Sequence, residues 1–261
     1  MGRILAVANQ KGGVAKTTTV VSLGAALAEH QLRVLMVDLD AQACLTFSTG
    51  VDADGVQAGA FELLLGKATL PQVVIELDDG TDLVPATIDL SAAEAALLEL
   101  PDRELVLRRA LAGARSDYDV VLLDCSPSLG LLTVNALAAT DEVLVPMQCE
   151  MLSHRGVGQL LDTVTDVQRL LNPGLRVRGL LPTMFDVRTG HARAVLADVG
   201  ERYGVPVLHP PIPRSVRFAE APAAGRSILA TAPRSAGAVA YRQLAAGLMR
   251  SWRIRPGRRR R

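Results

Sequence analysis

A glycine-rich loop with two lysines, placed between a short apolar run and a helical pattern, limits the folds open to this chain. The loop reads NQKGGVAKTTT (9–19), the apolar run before it is RILAVAN (3–9), and the helical pattern spans 16–30. Glycines let backbone N–H groups converge on the oxygens of an anion, and the helix N-terminus adds a partial positive charge there. This order of strand, loop and helix predicts a phosphate-binding site at the edge of a sheet.

Lysine usage points to the same loop. Three of the 28 basic residues are lysines, and two of them, Lys11 and Lys16, lie in the loop. A slim ammonium fits between phosphates where a guanidinium fork does not. We therefore predict that Lys16 bridges the β- and γ-phosphates of a nucleotide, that Thr17 coordinates Mg²⁺ and that Thr18 contacts an inner phosphate. Ala15 stands where the common pattern GxxxxGK[ST] has its last glycine.

The remainder of the chain alternates apolar runs with helical stretches. Further strands are predicted at 33–40, 82–87, 118–126, 142–147, 177–185 and 205–209. Helices are predicted at 61–66, from Ser91 onward with Glu94 as its capping-box partner, and at 103–114, 153–171, 190–203 and 235–252. The proline-rich stretch 209–225 is predicted as an ordered loop. Continuous apolar strands between helices indicate an α/β fold, with a mostly parallel twisted sheet and helices on both faces.

Three aspartates lie at the ends of predicted strands. Asp38 and Asp40 are two residues apart at the end of one strand, and Asp124 ends the apolar run VVLLD. Open parallel sheets bind ligands at the carboxyl ends of their strands, and carboxylates there hold Mg²⁺ directly or through water. We therefore expect these carboxylates to face a bound ligand.

The loop KGGVAKTTT resembles the deviant Walker A motif, KGGxxK[ST]T, of the ParA/MinD family of ATPases. RVLMVDLDAQ and VVLLDCSPSLGLLTVNAL resemble the family's second motif and its Walker B segment. VLVPMQCE, GLLPTMFDVRTG and IPRSVRFAEAPAAGRSI are similar to segments of its chromosome- and plasmid-partitioning (ParA/Soj) branch. The resemblance covers nearly all of residues 3–248. It implies a P-loop NTPase domain over 1–249, ATP and Mg²⁺ as cofactors, and slow ATP hydrolysis.

The resemblance also implies residue roles. The family's signature lysine, matched by Lys11, reaches the nucleotide of the partner subunit, which implies an ATP-dependent homodimer. Asp40 matches the aspartate that positions the attacking water, so the expected catalytic residues are Lys11, Lys16 and Asp40. Asp38 and Asp124, the latter at the Walker B position, match acidic residues of the family's Mg²⁺ site, so the expected metal site consists of Thr17, Asp38 and Asp124. The loop residues expected to bind the nucleotide are Lys11, Gly12, Gly13, Val14, Ala15, Lys16, Thr17 and Thr18. Met184 and Pro213 match segments that frame the adenine.

Basic residues predict a further partner. Arg188, Arg214 and Arg217 match residues that partitioning ATPases use for sequence-independent DNA binding; solvated arginines without function are the alternative. Residues 250–261 add seven arginines and no acid, and without these seven the chain has 21 basic and 27 acidic residues. Such a tail is expected to be disordered and to bind polyanions. The resemblance implies non-specific DNA and a ParB-like stimulating protein as partners, in a cytoplasmic, nucleoid-associated location.

Other functions stay open at this stage. A MinD-like, membrane-associated regulator of division would need an amphipathic C-terminal helix. Leu244, Leu248, Met249 and Trp252 do share one face of 241–254, although packing of this face on the sheet is the interpretation that we favour. An iron–sulfur ATPase would need paired cysteines, and the three cysteines (44, 125 and 149) form no CxxC pair. A metabolic ligase or protein kinase that shares the loop would need a substrate domain that the sequence does not reveal.

Overall fold

The computed structural model describes residues 2–149, 153–186 and 190–257, and in this part of the chain seven strands form one sheet. The strands are β1 (Arg3–Val7), β2 (Val34–Leu39), β3 (Ile75–Glu76), β4 (Thr81–Val84), β5 (Val120–Cys125), β6 (Glu142–Gln148) and β7 (Arg176–Thr183). Their order is β3-β4-β2-β5-β1-β6-β7, and every neighbouring pair is parallel except β3 and β4. The predicted α/β fold with a mostly parallel sheet is confirmed.

Helices connect the strands and cover both faces of the sheet. The α-helices are α1 (Lys16–Ala28), α2 (Cys44–Ser48), α3 (Ala60–Leu64), α4 (Leu70–Val73), α5 (Ala93–Leu98), α6 (Val106–Ala110), α7 (Ala114–Asp117), α8 (Leu131–Ala139), α9 (Ser153–Leu170), α10 (Gly190–Tyr203), α11 (Arg217–Ala223), α12 (Ile228–Thr231) and α13 (Ala236–Trp252). Short 3₁₀ helices lie at Ala53–Gly55, Ile88–Ala92 and Arg103–Leu105. None of the helices in the three described segments combines the length and the apolar character that crossing a bilayer requires.

Alternate residues of the central strands pack into two cores, one on each face of the sheet. In β1, Leu5 and Val7 belong to the core that contains α1 and α13, while Ile4 and Ala6 belong to the core on the opposite face. A strand that is buried on both faces needs apolar residues at every position. This burial explains why β1, β2 and β5 are apolar along most of their length, and why Asp38 and Asp124 interrupt β2 and β5 only near their carboxyl ends.

The apolar face of the last helix packs inside the protein. Its buried residues include Tyr241, Leu244, Leu248, Met249 and Trp252, all in the core shared with α1. The indole Nε1 of Trp252 donates to Glu142 Oε2 at 2.7 Å and so fixes the end of α13 at the start of β6. The amphipathic pattern of this helix is therefore a core pattern. The expectation of a disordered tail from residue 250 onward is wrong for 250–252, because these residues belong to α13 and Trp252 is anchored in the core.

The strand predicted at 205–209 is wrong. These residues form an isolated parallel bridge between Leu180 and Val207, held by hydrogen bonds from Leu180 N to Pro206 O (2.9 Å) and from Leu208 N to Leu180 O (2.8 Å). Pro206 and Pro210 have no N–H to donate, which prevents a longer ladder. The predicted loop at 209–225 also contains a helix, α11.

The helix predicted to begin at Ser91 begins at Ala93 instead. Ser91 lies in the preceding 3₁₀ helix, and no side chain caps α5. The carboxylate of Glu94 accepts a hydrogen bond from Leu132 N at 3.3 Å, at the start of α8, instead of closing a capping box.

The helix predicted at 103–114 is divided into a 3₁₀ turn, α6 and the separate start of α7. The buried side chain of Asn135 accepts from Leu107 N at 3.1 Å and donates to Arg103 O at 2.8 Å. These tertiary hydrogen bonds compete with regular helix pairing, so they override the local pattern.

Candidate functional site

The glycine-rich loop joins the carboxyl end of β1 to the N-terminus of α1. Gly13 (φ 70°) and Ala15 (φ 69°), the N-cap residue, both adopt the left-handed conformation. This conformation costs a residue with a Cβ about 1 to 2 kcal/mol, so Ala15 holds a turn that glycine would form more easily. No side chain caps α1, and a methyl group built on Gly12 or Gly13 would meet no atom within 4 Å. The loop therefore borders open space and leaves the first amides of α1 available to an anion.

Side chains from three strand ends hold this loop in place. Asn9 Nδ2 donates to Pro146 O at 2.7 Å, Gln148 Nε2 donates to Gly13 O at 3.0 Å, and Thr183 Oγ1 donates to Val14 O at 3.0 Å. Gln148 and Thr183 thus fix carbonyl groups of the loop and Asn9 Oδ1 accepts from Lys11 N at 3.0 Å, while no side chain caps the first amides of α1. Such a preorganised set of donors lowers the cost of binding an anion.

Lys16 begins α1 and is buried despite its charge. Its Nζ donates to Lys11 O at 3.3 Å, across the turn of the loop. Burial lowers the pKa of Lys16, and the negative charge of Asp124 opposes this shift. A buried ammonium next to uncapped helix amides is an arrangement suited to phosphate oxygens.

Asp124 is the least satisfied polar side chain of the site. It lies one residue before the end of β5, beside Val7 of β1 and Asp38 of β2. Among the described residues, neither of its buried carboxylate oxygens has a hydrogen-bond partner of good geometry, although the hydroxyl of Thr17 is close enough to favour the charged form. Burial raises the pKa of Asp124 well above its usual range and the charge of Asp38 adds to this, while Thr17 and Lys16 oppose the shift. A buried carboxylate without a partner is costly unless a cation compensates it, so these oxygens fit a hard cation such as Mg²⁺.

Asp38 is held by a hydrogen-bond network that the sequence did not reveal. Its Oδ2 accepts from Thr46 N (2.9 Å) and Thr46 Oγ1 (2.7 Å), and its Oδ1 accepts from Asp40 N (3.1 Å). Thr46 Oγ1 in turn accepts from Ala86 N at 2.9 Å, which connects α2 to the end of β4. Burial raises the pKa of Asp38 to about 6, against the effect of the bonds from Thr46 and Asp40.

Replacing Thr46 with valine is expected to lower the free energy of unfolding by about 2 to 4 kcal/mol, because Ala86 N loses its acceptor and Asp38 loses a donor inside the protein. Urea unfolding of the nucleotide-free protein measures the change. Thr46→Ser keeps the hydroxyl and is the matched control, with a smaller loss. A valine variant as stable as the parent would show that the network does not support the site.

Asp40 lies just beyond β2 and is half-buried. Its Oδ1 accepts from Gln42 N at 3.0 Å, which turns the chain after the strand. Its charge acts on Lys16, Asp38 and Asp124, so it belongs to the same cluster. The structure thus brings Lys16, Asp38, Asp40 and Asp124 together around the loop, and their roles toward a nucleotide stay predictions.

A mostly apolar cavity of about 400 Å³ lies beside the loop. It is lined by Ala15 and Thr18 of the loop and α1, by Thr183 at the end of β7 and Met184 after it, and by residues of the segment 212–219 and Tyr241. Met184 and Pro213, which are predicted to frame the adenine, therefore line the same cavity as residues of the phosphate loop. The size and the apolar lining of this cavity suit a purine. A cavity of similar volume between Gly50, Leu77 and Gly225 lies away from the loop residues.

Arg214 and Arg217 are exposed next to this cavity. Arg214 lines it, and Arg217 Nη1 forms a 2.8 Å ion pair with Glu220 on the surface of α11. Exposed pairs of this kind contribute little to stability, so Arg217 is free to exchange its partner. Arg188, the third predicted DNA contact, lies outside the described residues.

Comparison with known proteins identifies a family model and several relatives that match most of the chain. A family model described as an AAA domain matches residues 2–177. The chain is 44% identical to the sporulation initiation inhibitor protein Soj of Bacillus subtilis over 246 residues, which cover 94% of this chain and 97% of that protein. It is 40% identical to the chromosome partitioning protein ParA of Myxococcus xanthus over 251 residues, which cover 96% of this chain and 89% of that protein.

A solved structure extends the similarity to bound ligands. It is the crystal structure of cobyrinic acid a,c-diamide synthase from Mycobacterium smegmatis with bound ADP and magnesium. The two chains are 52% identical and superpose with a TM-score of 0.88, over 97% of this chain and 96% of that one. A protein with the same fold and with identical residues at about half of the aligned positions thus binds ADP and magnesium.

Proposed function

Because this chain belongs to the ParA/MinD family of P-loop ATPases, we propose that it is a nucleotide switch that binds Mg·ATP, dimerises around it and hydrolyses it slowly. The observation that carries the proposal is the buried Asp124 carboxylate, which lies beside Thr17 and Lys16 and whose oxygens have no hydrogen-bond partner of good geometry in the part of the chain that the structure describes. The M. smegmatis structure with ADP and magnesium supports it.

Each residue of the site has a separate role in this proposal. Thr17 and Asp124 hold Mg²⁺, and Asp38 orients its shell through the network with Thr46. The ion neutralises charge on the β- and γ-phosphates when it is bound. Gly12, Gly13 and the first turn of α1 donate amides to the phosphates, and Lys16 adds a positive charge where negative charge develops. Asp40 positions the attacking water, and the cavity of Met184 and Pro213 holds the adenine.

Lys11 is proposed to complete the site of a second copy. Helix α9 approaches its backbone closely: a Cβ on Gly156 would lie 3.7 Å from both Lys11 N and Lys11 Cβ. The experiment that tests the switch is sizing chromatography with ATP, with ADP and without nucleotide. We expect a dimer with ATP alone, and we expect Lys11→Ala to bind ATP as a monomer. A parent protein that elutes identically in all three conditions would contradict the switch.

We further propose that the ATP-bound form binds DNA without sequence preference, in the nucleoid, and that a DNA-bound protein of the ParB type stimulates hydrolysis. The names of Soj and ParA support a partitioning role, in which the switch positions a chromosome, a plasmid or another cargo. Exposed arginines that contact phosphates give weak, salt-sensitive binding without base readout.

Reversing the charges of Arg214 and Arg217 is expected to weaken ATP-dependent DNA binding at least about tenfold at low salt, because each arginine compensates phosphate charge. Fluorescence anisotropy of a non-specific duplex with Mg·ATP measures this. Arg109→Glu/Arg169→Glu is the matched control, because it changes the net charge equally at exposed arginines paired with Asp102 and Asp166. Equal binding by Arg214→Glu/Arg217→Glu and the parent would place the DNA contact on other residues.

Amidation of a corrinoid carboxylate is a second candidate, because the M. smegmatis structure carries that name. Transfer of nitrogen from glutamine commonly needs an activated thiolate. Burial instead raises the pKa of all three thiols: Cys44, Cys125 and Cys149, the last to about 11. Incubation with cobyrinic acid, Mg·ATP and either glutamine or ammonia tests this candidate, since each amide formed lowers the product mass by about one unit relative to the acid. We expect no such product.

A membrane-associated regulator of division is disfavoured by α13. The apolar face that would enter a bilayer is buried against α1. Flotation of the protein with anionic vesicles and ATP tests this alternative, and we expect the protein to stay in the dense fraction.

A further inference from the structure

The chain after α13 crosses the end of the sheet that lies opposite the glycine-rich loop. Trp252 is bonded to Glu142 at the amino end of β6, and Gly257 N donates to His30 O at 3.0 Å, in the turn that precedes β2. Strands β5 and β1 separate β6 from β2, so residues 252–257 run beneath the amino ends of the central strands. The nucleotide site lies at the carboxyl ends of these strands. The two surfaces are therefore at opposite ends of the sheet.

A turn at Arg253 directs this crossing. Arg253 has φ 57°, and hydrogen bonds from Arg253 N to Arg250 O (3.2 Å) and from Ile254 N to Met249 O (3.0 Å) close the end of α13. Glycine is the usual residue at a left-handed helix end. Here an arginine occupies it, at the cost of backbone strain and with its side chain exposed.

The arginines of this crossing carry uncompensated charge. Arg250, Arg253 and Arg255 are exposed, and the structure pairs none of the three with a described carboxylate. The nearby acids already have partners: Glu29 pairs with Arg242, Asp119 with Arg33, and Glu142 with Arg178 and Trp252. Four more arginines follow in the sequence at 258–261, outside the described residues.

We infer that residues 250–257, which we term the basic segment, form a second contact for the phosphates of nucleic acid, separate from Arg214 and Arg217. The large apolar side chains of the basic segment, Trp252 and Ile254, pack against the core. It therefore presents guanidinium groups without a large apolar anchor, which fits a phosphodiester backbone better than a bilayer. This contact goes beyond the proposed function, because it needs neither a nucleotide nor a second copy of the chain.

The test is DNA binding without nucleotide, measured by fluorescence anisotropy with a non-specific duplex over a range of salt concentrations. The variant is Arg250→Gln/Arg253→Gln/Arg255→Gln in the full chain. We expect at least about tenfold weaker binding at low salt, and a slope of log K against log salt that is smaller by about 2 to 3. The matched control, Arg103→Gln/Arg109→Gln/Arg169→Gln, changes the net charge equally at arginines paired with Glu104, Asp102 and Asp166. We expect its affinity to stay within about twofold of the parent.

Three results would overturn the inference: unchanged binding in the first variant, an equal loss in the control, or flotation with phosphatidylglycerol vesicles that the first variant abolishes while DNA binding is unaffected. Thermal unfolding followed by circular dichroism checks that both variants stay folded, as exposed positions predict. Calorimetry with Mg·ATP separates this inference from the proposed function, since the first variant should bind nucleotide as the parent does. A parent that binds DNA through the basic segment but takes up no Mg·ATP would contradict the proposed function alone.

Discussion

Replacing Lys16 with alanine is expected to lower the affinity for Mg·ATP at least about 100-fold, since two charge-assisted contacts to phosphate oxygens contribute roughly 3 kcal/mol or more. The side chain is buried, and its ammonium is held at the turn of the loop by Lys11 O. Solvent and dissolved ions screen a buried charge poorly, so the salt in the buffer does not offset the loss of the Lys16 ammonium. Isothermal titration calorimetry of the nucleotide-free proteins measures the difference.

The chain offers a matched control for this change. Lys67 is exposed, with its Nζ 5.0 Å from the centre of the Phe61 ring, and it is not part of the loop. Lys67→Ala should bind Mg·ATP as the parent does. If Lys16→Ala bound Mg·ATP with unchanged affinity, the glycine-rich loop would not be the phosphate site.

Replacing Asp40 with alanine is expected to slow ATP hydrolysis at least about 100-fold, the usual contribution of a group that orients or deprotonates an attacking water. Asp40 is half-buried beside Lys16 and Asp124 but is not needed to hold the phosphates. The affinity for ATP should therefore change little, and the ATP-bound dimer should persist. Phosphate release and sizing chromatography measure the two effects on one sample.

Asp54→Ala is the control, because Asp54 is an exposed aspartate in a 3₁₀ helix outside the site. It should hydrolyse ATP at the rate of the parent. Normal hydrolysis by Asp40→Ala would show that another group positions the water. A variant that loses both hydrolysis and ATP binding would instead assign Asp40 to the binding site.

Much of the fold could be predicted because its signals are local. Strands β1, β2 and β5 are buried on both faces, so each is a largely apolar run, and parallel pairing puts their carboxyl ends, with Asp38 and Asp124, at one edge. For this reason the sequence placed Asp38 and Asp124 next to each other correctly. The loop was recognisable for the same reason: its glycines, its lysines and the following helix are contiguous.

The supports of the site were not predictable, because they are distant in sequence. Gln148 and Thr183 bind carbonyl groups of the loop across 135 and 169 residues, and Thr46 joins Asp38 to Ala86 across 40 residues. A single polar side chain at a strand end or in a five-residue helix carries no periodic signal. The division of the helix at 103–114 has the same origin, since Asn135 lies 28 residues beyond the amide that it binds.

Equilibrium dialysis of radioactive ATP against the nucleotide-free chain tests the central claim most directly, which is that the loop and Asp124 together hold Mg·ATP. We expect saturable uptake of one ATP per chain that requires Mg²⁺ and that is lost in Lys16→Ala and weakened in Asp124→Asn. The account would be contradicted if the parent took up no ATP at saturation, or if uptake were the same with and without Mg²⁺ and in both variants.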